Sequence, residues 1–139
     1  MKTPCLLALL TLSLPALAQT ASLTVNLHEI RNATGNLRAS LYREPESFRK
    51  EDKAVQVAAL PAVAGDAKIV FADLPPGKYA VMAYHDENGD GKLNLRFGMF
   101  PTEGYGLSNN PQVMGPPKFA DSAFEVSAPE TIIDIKLAY

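Results

Sequence analysis

Tryptophan is absent from the chain, histidine occurs only twice, and the single cysteine is Cys5. Lys2 precedes an apolar run from Cys5 to Leu14, which is followed by Pro15, Ala16, Leu17, Ala18 and Gln19. A short basic start, an apolar stretch too brief to span a bilayer and small residues at Ala16 and Ala18 form the pattern of a secretory signal peptide. Cleavage is expected after Ala18, leaving residues 19–139 as one domain. Cys5 lies before the apolar core of this leader, not just after it, so it is poorly placed to carry a lipid at a mature N-terminus. The mature chain would hold no thiol, which excludes a disulfide, a zinc thiolate site and a cysteine nucleophile. Stability must come from an ordinary apolar core.

No second apolar run is long enough to cross a membrane, so no membrane insertion is expected once the leader is removed. Clusters of lysine and arginine are also missing. Thirteen basic residues, Lys2 among them, stand against fifteen acidic ones, so the mature chain carries a net charge near −3. That balance argues against a nucleic-acid partner. The lack of a basic amphipathic segment argues equally against anionic lipid surfaces. The expected location is the periplasm or the medium outside the cell.

What is present is a period of two. Leu23, Val25 and Leu27 alternate with polar residues, as do Leu37, Ala39 and Leu41, and the Gly35-Asn36 turn signal between them predicts a β-hairpin. Glu44 to Lys53 is polar apart from Phe48 and reads as a loop with one helical turn, pinned by that ring. Strand patterns resume at 54–60, 68–73 and 78–85, the last apolar on both faces and therefore a central strand covered on two sides. Two more follow at 118–126 and 131–138. Seven short strands, frequent Pro and Gly punctuation and no clear amphipathic helix predict an all-β fold, an antiparallel immunoglobulin-like or transthyretin-like sandwich with one long loop.

That loop runs from Glu87 to Pro117 and holds six glycines, four prolines and three large rings, Phe97, Phe100 and Tyr105. Connections of this length are functional or disordered, and disordered tracts are poor in aromatics. Phe97 to Asn110 alternates rings with Gly, Asn and Glu, the residue types that stack on and hydrogen-bond to sugars and small ligands. Phe97, Phe100, Tyr105 and Asn109 are therefore candidate recognition residues. The alternative is that the rings pin the loop to the sandwich.

At the start of the loop, Asp86-Glu-Asn-Gly-Asp-Gly-Lys-Leu-Asn94 places oxygen-bearing side chains at Asp86, Asn88, Asp90 and Asn94 around Gly91. A calcium loop takes side-chain oxygens from positions 1, 3 and 5, a glycine at 6, a carbonyl at 7 and a water held by position 9. Here those are Asp86, Asn88, Asp90, Gly91, Lys92 and Asn94. Position 12, a bidentate carboxylate in such loops, is Phe97, so another residue must complete the shell; Glu103 is the first candidate and Asp121 the second. Two local carboxylates predict weak binding, roughly 10⁻⁴–10⁻³ M. The competing reading is a plain Asx-rich turn, since Asn-Gly and Asp-Gly favour positive φ.

Magnesium fits less well because it demands tight octahedral geometry. Copper draws attention to Met82, Met99, Met114, His28 and His85, but their spacing is scattered. His85 beside Asp86 could serve as a general base. Ser108, in Gly-Leu-Ser-Asn-Asn, lacks the second glycine of a nucleophile elbow. An enzyme built on His85 and Glu103 would lack a nucleophile or cofactor motif.

Asp73-Leu-Pro-Pro-Gly-Lys-Tyr-Ala-Val followed by Tyr84-His85-Asp86 is similar, at the level of fold, to the transthyretin-like and collagen-adhesin B-type sandwiches. A closer likeness covers nearly the whole mature chain: Leu41-Tyr42 with Phe48, Leu74 to Tyr79, His85 to Leu93, Pro101 to Asn110, Pro117-Lys118-Phe119 and Ala123-Phe124. Through these the sequence resembles the exported bacterial family called domain of unknown function 2141, which implies an exported β-sandwich and supplies no reaction. The function expected is a non-enzymatic binding or accessory module, acting on a protein or small ligand, with calcium as its cofactor. A metal-free structural or adhesion scaffold and a small-ligand or carbohydrate-binding protein are the alternatives.

Overall fold

Two apolar-faced sheets pack against each other in the computed structural model, which describes residues 12–139. The first sheet has the order β10 (Glu130–Lys136), β1 (Ala21–Ile30), β4 (Gly65–Leu74). The second has the order β3 (Gln56–Pro61), β2 (Asn36–Tyr42), β5 (Gly77–Asp86), β8 (Tyr105–Leu107), with β9 (Phe124–Val126) also paired to β5. A ribbon of β6 (Leu95–Arg96) and β7 (Phe100–Pro101) stands apart. One 3-10 turn, Glu51–Lys53, and one short helix, α1 (Phe119–Ser122), complete the elements. The all-β fold class read from the sequence is thus the observed one. Lys2, Cys5 and most of the apolar leader lie outside the described residues; Leu12 to Thr20 carry no regular structure and are exposed. Among the described residues no helix is long and apolar enough to cross a membrane.

The main core follows from the period of two. Leu23, Val25 and Leu27 of β1, Ile69 and Phe71 of β4 and Ile135 of β10 face Leu37, Ala39 and Leu41 of β2 and Tyr79, Val81 and Ala83 of β5. Through these alternate residues one face of each strand lies in the core. β5 is apolar on both faces for a second reason: Ala80 and Met82 pack with Tyr42, Phe48, Leu107 and Phe119 on the far side of the sheet. Phe48 meets Tyr42 and Phe119 edge to face, at centroid distances of 5.6 and 5.9 Å. The Glu44 to Lys53 loop is pinned by that ring as its sequence suggests.

Besides the interval 87–117, where β6, β7 and β8 interrupt the expected loop and bring the strands of the described residues to ten and not seven, three details differ from the sequence expectation. Gly35-Asn36 does not close a hairpin, because β1 and β2 belong to different sheets. Both strands carry a full apolar face, and each buries it against the other sheet while its edges pair elsewhere, so the turn is a corner between layers. Gly35 is needed there: its φ is +73° and an added Cβ would lie 2.1 Å from the Asp86 carbonyl oxygen. Second, β1 and β10 pair in parallel, from Ser22↔Glu130 to His28↔Lys136, and not antiparallel. No tight turn joins these two strands, so nothing local dictates their direction. Third, the pattern at 118–126 is split between α1 and β9. Asp121 accepts a hydrogen bond from the Lys118 N–H at 2.9 Å, which turns the chain into α1 and drops Phe119 into the second core.

Candidate functional site

β5 ends at Asp86, the first residue of the candidate cation loop, and its pairing with β2 fixes where that loop begins. The Asp86 carboxylate is buried and accepts two backbone hydrogen bonds, Asp90 N–H on Oδ1 at 3.2 Å and Gly91 N–H on Oδ2 at 2.8 Å. Asn88 Oδ1 shares the same Asp90 N–H at 3.2 Å, which brings it to the Asp86 oxygen. Asp90 Oδ1 accepts from Lys92 N–H at 2.9 Å. The amide of Asn94 donates to Asp90 Oδ2 at 2.9 Å, and that of Asn88 to Asn94 Oδ1 at 3.0 Å. Asp86, Asn88, Asp90 and Asn94 therefore turn toward one another. Gly89 and Gly91 have φ of +72° and +73°, the left-handed angles that let the chain double back.

Hydrogen bonding from the Asn94 amide, and then from the Lys92 N–H, holds the Asp90 carboxyl below its ordinary range. Charge is thus retained on the loop at neutral pH.

Glu103 arrives from the far side of the β6–β7 ribbon and closes the base of the loop. Its buried carboxylate accepts from Glu87 N–H on Oε1 at 3.1 Å and from Asn94 N–H on Oε2 at 3.3 Å. Thr102 adds two bonds to the Asn94 carbonyl, from N–H at 2.9 Å and from Oγ1 at 3.1 Å. Among the described residues no three His, Cys, Asp or Glu side chains form a metal-ligating group. Any cation held here must draw on amide and main-chain oxygens, including the Lys92 carbonyl, as well as carboxylates. Asp121 is committed to the turn at Lys118.

Two supports were not legible in the sequence. The Tyr84 hydroxyl lies 3.1 Å from the Gly91 carbonyl and 2.8 Å from Glu51 Oε2, its one proton shared between them. Burial and the neighbouring Glu51 carboxylate push the Tyr84 phenol well above its usual pKa, so it stays a donor. Arg38 completes the cluster through an ion pair to Glu51. On the other side, Arg31 contacts Glu87 at 2.6 Å, a Coulombic contact without an aligned hydrogen bond. Burial would raise the Glu87 carboxyl, but the Asn32 amide and Arg31 outweigh it and hold it low. The only sequence clue was that Tyr84 and Glu87 bracket the His85-Asp86 pair.

His85 is fully buried with both nitrogens engaged, Nε2 with the Thr34 carbonyl at 2.6 Å and Nδ1 with the Tyr139 hydroxyl at 2.8 Å. It has no free nitrogen for a substrate proton or a metal. Ser108 is structural: Oγ accepts from Val81 N–H at 2.9 Å and donates to the Ser122 carbonyl at 2.5 Å. His28 lies on the outer face of the first sheet between Asp66 and Asp134. Met82 sits at the second core, and Met99 and Met114 are exposed in the long connection.

The recognition candidates separate. Phe97 and Phe100 project from the ribbon into solvent. Tyr105 is half buried in β8, and its backbone bridges to Ala138. The Asn109 amide donates to the Ala123 carbonyl at 2.9 Å, tying the loop to the α1 end. A shallow groove lies beside Tyr105, lined by Asn110, Pro111, Val113, Pro117 and Lys136.

A family model described as "uncharacterized protein conserved in bacteria (DUF2141)" matches residues 25–134, most of the chain. The chain belongs to that family. The match contains β1 from Val25 onward, all of β2 and β5, the Asp86–Asn94 loop, the ribbon and Glu103. No curated protein and no solved structure matches the sequence.

Proposed function

We propose that this DUF2141 member is an exported, non-enzymatic binding or accessory module, whose Asp86–Asn94 loop holds a structural calcium ion that orders the long connection behind it. The observation that carries this reading is the inward turn of Asp86, Asn88, Asp90 and Asn94 around Gly91, with Glu103 fastening the base. Asp86, Asn88 and Asp90 offer side-chain oxygens, Lys92 its carbonyl, and Asn94 a water-mediated contact. An ion there would reach the ribbon through Asn94, whose carbonyl holds Thr102. Export is supported by the basic and apolar leader together with the exposed, unstructured Leu12, Leu14 and Leu17 that precede β1.

Thermal unfolding in chelator and in calcium tests the ion. With a dissociation constant near 1 mM, 10 mM calcium adds roughly 1.4 kcal/mol of stability, and a chain carrying Asp90→Ala loses that gain. No shift at millimolar calcium overturns the structural-ion reading. The N-terminal mass of protein recovered from a bacterial periplasm or medium tests export, with Gln19 expected first.

A metal-free scaffold is the second reading, and one observation favours it. Asp86, Asn88, Asp90 and Asn94 already find hydrogen-bond partners within the loop, so the turn can close without an ion.

A further inference from the structure

The β6–β7 ribbon presents large apolar side chains to water: Phe97 is 80% exposed, Met99 69%, Phe100 59% and Leu95 47%. The turn between the strands is tight, with Met99 N–H bonded to the Arg96 carbonyl at 3.2 Å and φ of +55° at Phe97 and +67° at Gly98. Such a turn suits Asn or Gly at both central positions. A phenylalanine at the first gives up backbone free energy, which points to a use for its ring. From Lys92 to Thr102 the chain carries two cations, Lys92 and Arg96, in a segment flanked by the carboxylates of Asp90 and Glu103. The Arg96 guanidinium lies 5.4 Å from the centre of the Phe97 ring.

We propose that this ribbon is an anchor for an anionic lipid surface, with Phe97, Met99 and Phe100 entering the interfacial layer and Lys92 and Arg96 meeting the headgroups. The size of the patch selects this occupant. It sits at the turn of a separate two-stranded ribbon and exposes roughly a few hundred Å², below the ~800 Å² per partner of a stable protein interface. Partial insertion of a few rings beside cations suffices at a bilayer surface. A hairpin tip needs no helical periodicity to be amphipathic, so the sequence pattern gives no sign of it. The ribbon is held by protein contacts at Asn94 and Thr102, and the proposal does not depend on an ion in the loop.

The absence of tryptophan makes Phe97→Trp a sole fluorescent reporter on the full chain. With vesicles of equal phosphatidylglycerol and phosphatidylcholine, in chelator, its emission should shift to the blue and be quenched by brominated acyl chains. Cosedimentation of the parent should fall about tenfold in F97S/F100S and in K92E/R96E, with melting temperatures unchanged because all four side chains are exposed. Comparison with the parent cancels any lipid affinity of the N-terminal leader. An emission maximum unmoved by vesicles, or equal sedimentation of parent and F97S/F100S, overturns the proposal. A ring shielded instead by concentration-dependent self-association also overturns it, in favour of a second copy as the partner.

Discussion

The Tyr139 hydroxyl donates to Nδ1 of His85 across 2.8 Å, while the opposite nitrogen, Nε2, donates to the Thr34 carbonyl. The direction follows from chemistry: a carbonyl can only accept, so Nε2 carries a proton, and the tautomer with its one proton there leaves Nδ1 to receive the phenol. The Tyr139 oxygen in turn accepts from Arg31 N–H at 3.2 Å, and the Arg31 guanidinium lies 4.5 Å from the ring centre. The Tyr139 side chain thereby ties the crossing between sheets to the end of β5, one residue before the Asp86–Asn94 loop. Tyr139→Phe leaves a buried acceptor unpaired and should cost about 1–3 kcal/mol in urea unfolding. A loss within error would show that His85 finds another donor.

Glu103 supplies two acceptors to two backbone donors at the base of the loop. Glutamine retains one acceptor and opposes the other donor with an amide N–H. Glu103→Gln should therefore destabilise the fold by roughly 1–3 kcal/mol and speed hydrogen exchange at Glu87 and Asn94. Unchanged protection at both amides would place Glu103 outside the support of the loop.

Glycines at similar φ should differ sharply in cost. Gly35→Ala would drive a methyl group into the Asp86 carbonyl and should lose about 3 kcal/mol or more, or fail to fold. Gly89→Ala meets nothing within 4 Å and carries only the left-handed backbone penalty, about 1 kcal/mol. Equal melting temperatures for the two variants would contradict the close approach at the corner.

His28 gives a pH dependence of known sign. Hydrogen bonding to Asp134, and then to Asp66, raises its pKa above the ordinary value, while His28 lowers that of Asp134. The His28 contribution is complete below the unfolded pKa near 6.5 and fades as pH rises through the elevated folded value. The Asp134 contribution is present above its unfolded pKa near 4 and fades as pH falls through its depressed folded value. The clamp is strongest between about pH 4 and 6.5. The difference in urea midpoint between parent and His28→Gln should be largest near pH 5.5 and shrink by about pH 9. A difference that grows with pH would reverse the assignment.

The alternation at Leu23, Val25, Leu27 and at Leu37, Ala39, Leu41 showed which residues are inside, yet not that the two strands lie in opposite sheets. Alternation fixes a face; pairing is fixed by whatever edge another strand offers. The Asx and glycine spacing of Asp86 to Asn94 was equally legible, because its bonds span at most six residues. Glu103 could be nominated only as a carboxylate somewhere in the long connection.

By itself, then, the sequence determined the elements whose cause is local: strand faces from period two, the turned loop from Asn-Gly and Asp-Gly, and the doubly covered β5 from its unbroken apolar run. Tertiary structure alone decided the parallel pairing of β1 with β10, Tyr84 and Glu103 on the loop, His28 between two aspartates, and Phe97 and Phe100 facing water. Those arrangements join groups far apart in the chain, and their positions are set by how the two sheets bury their apolar faces together.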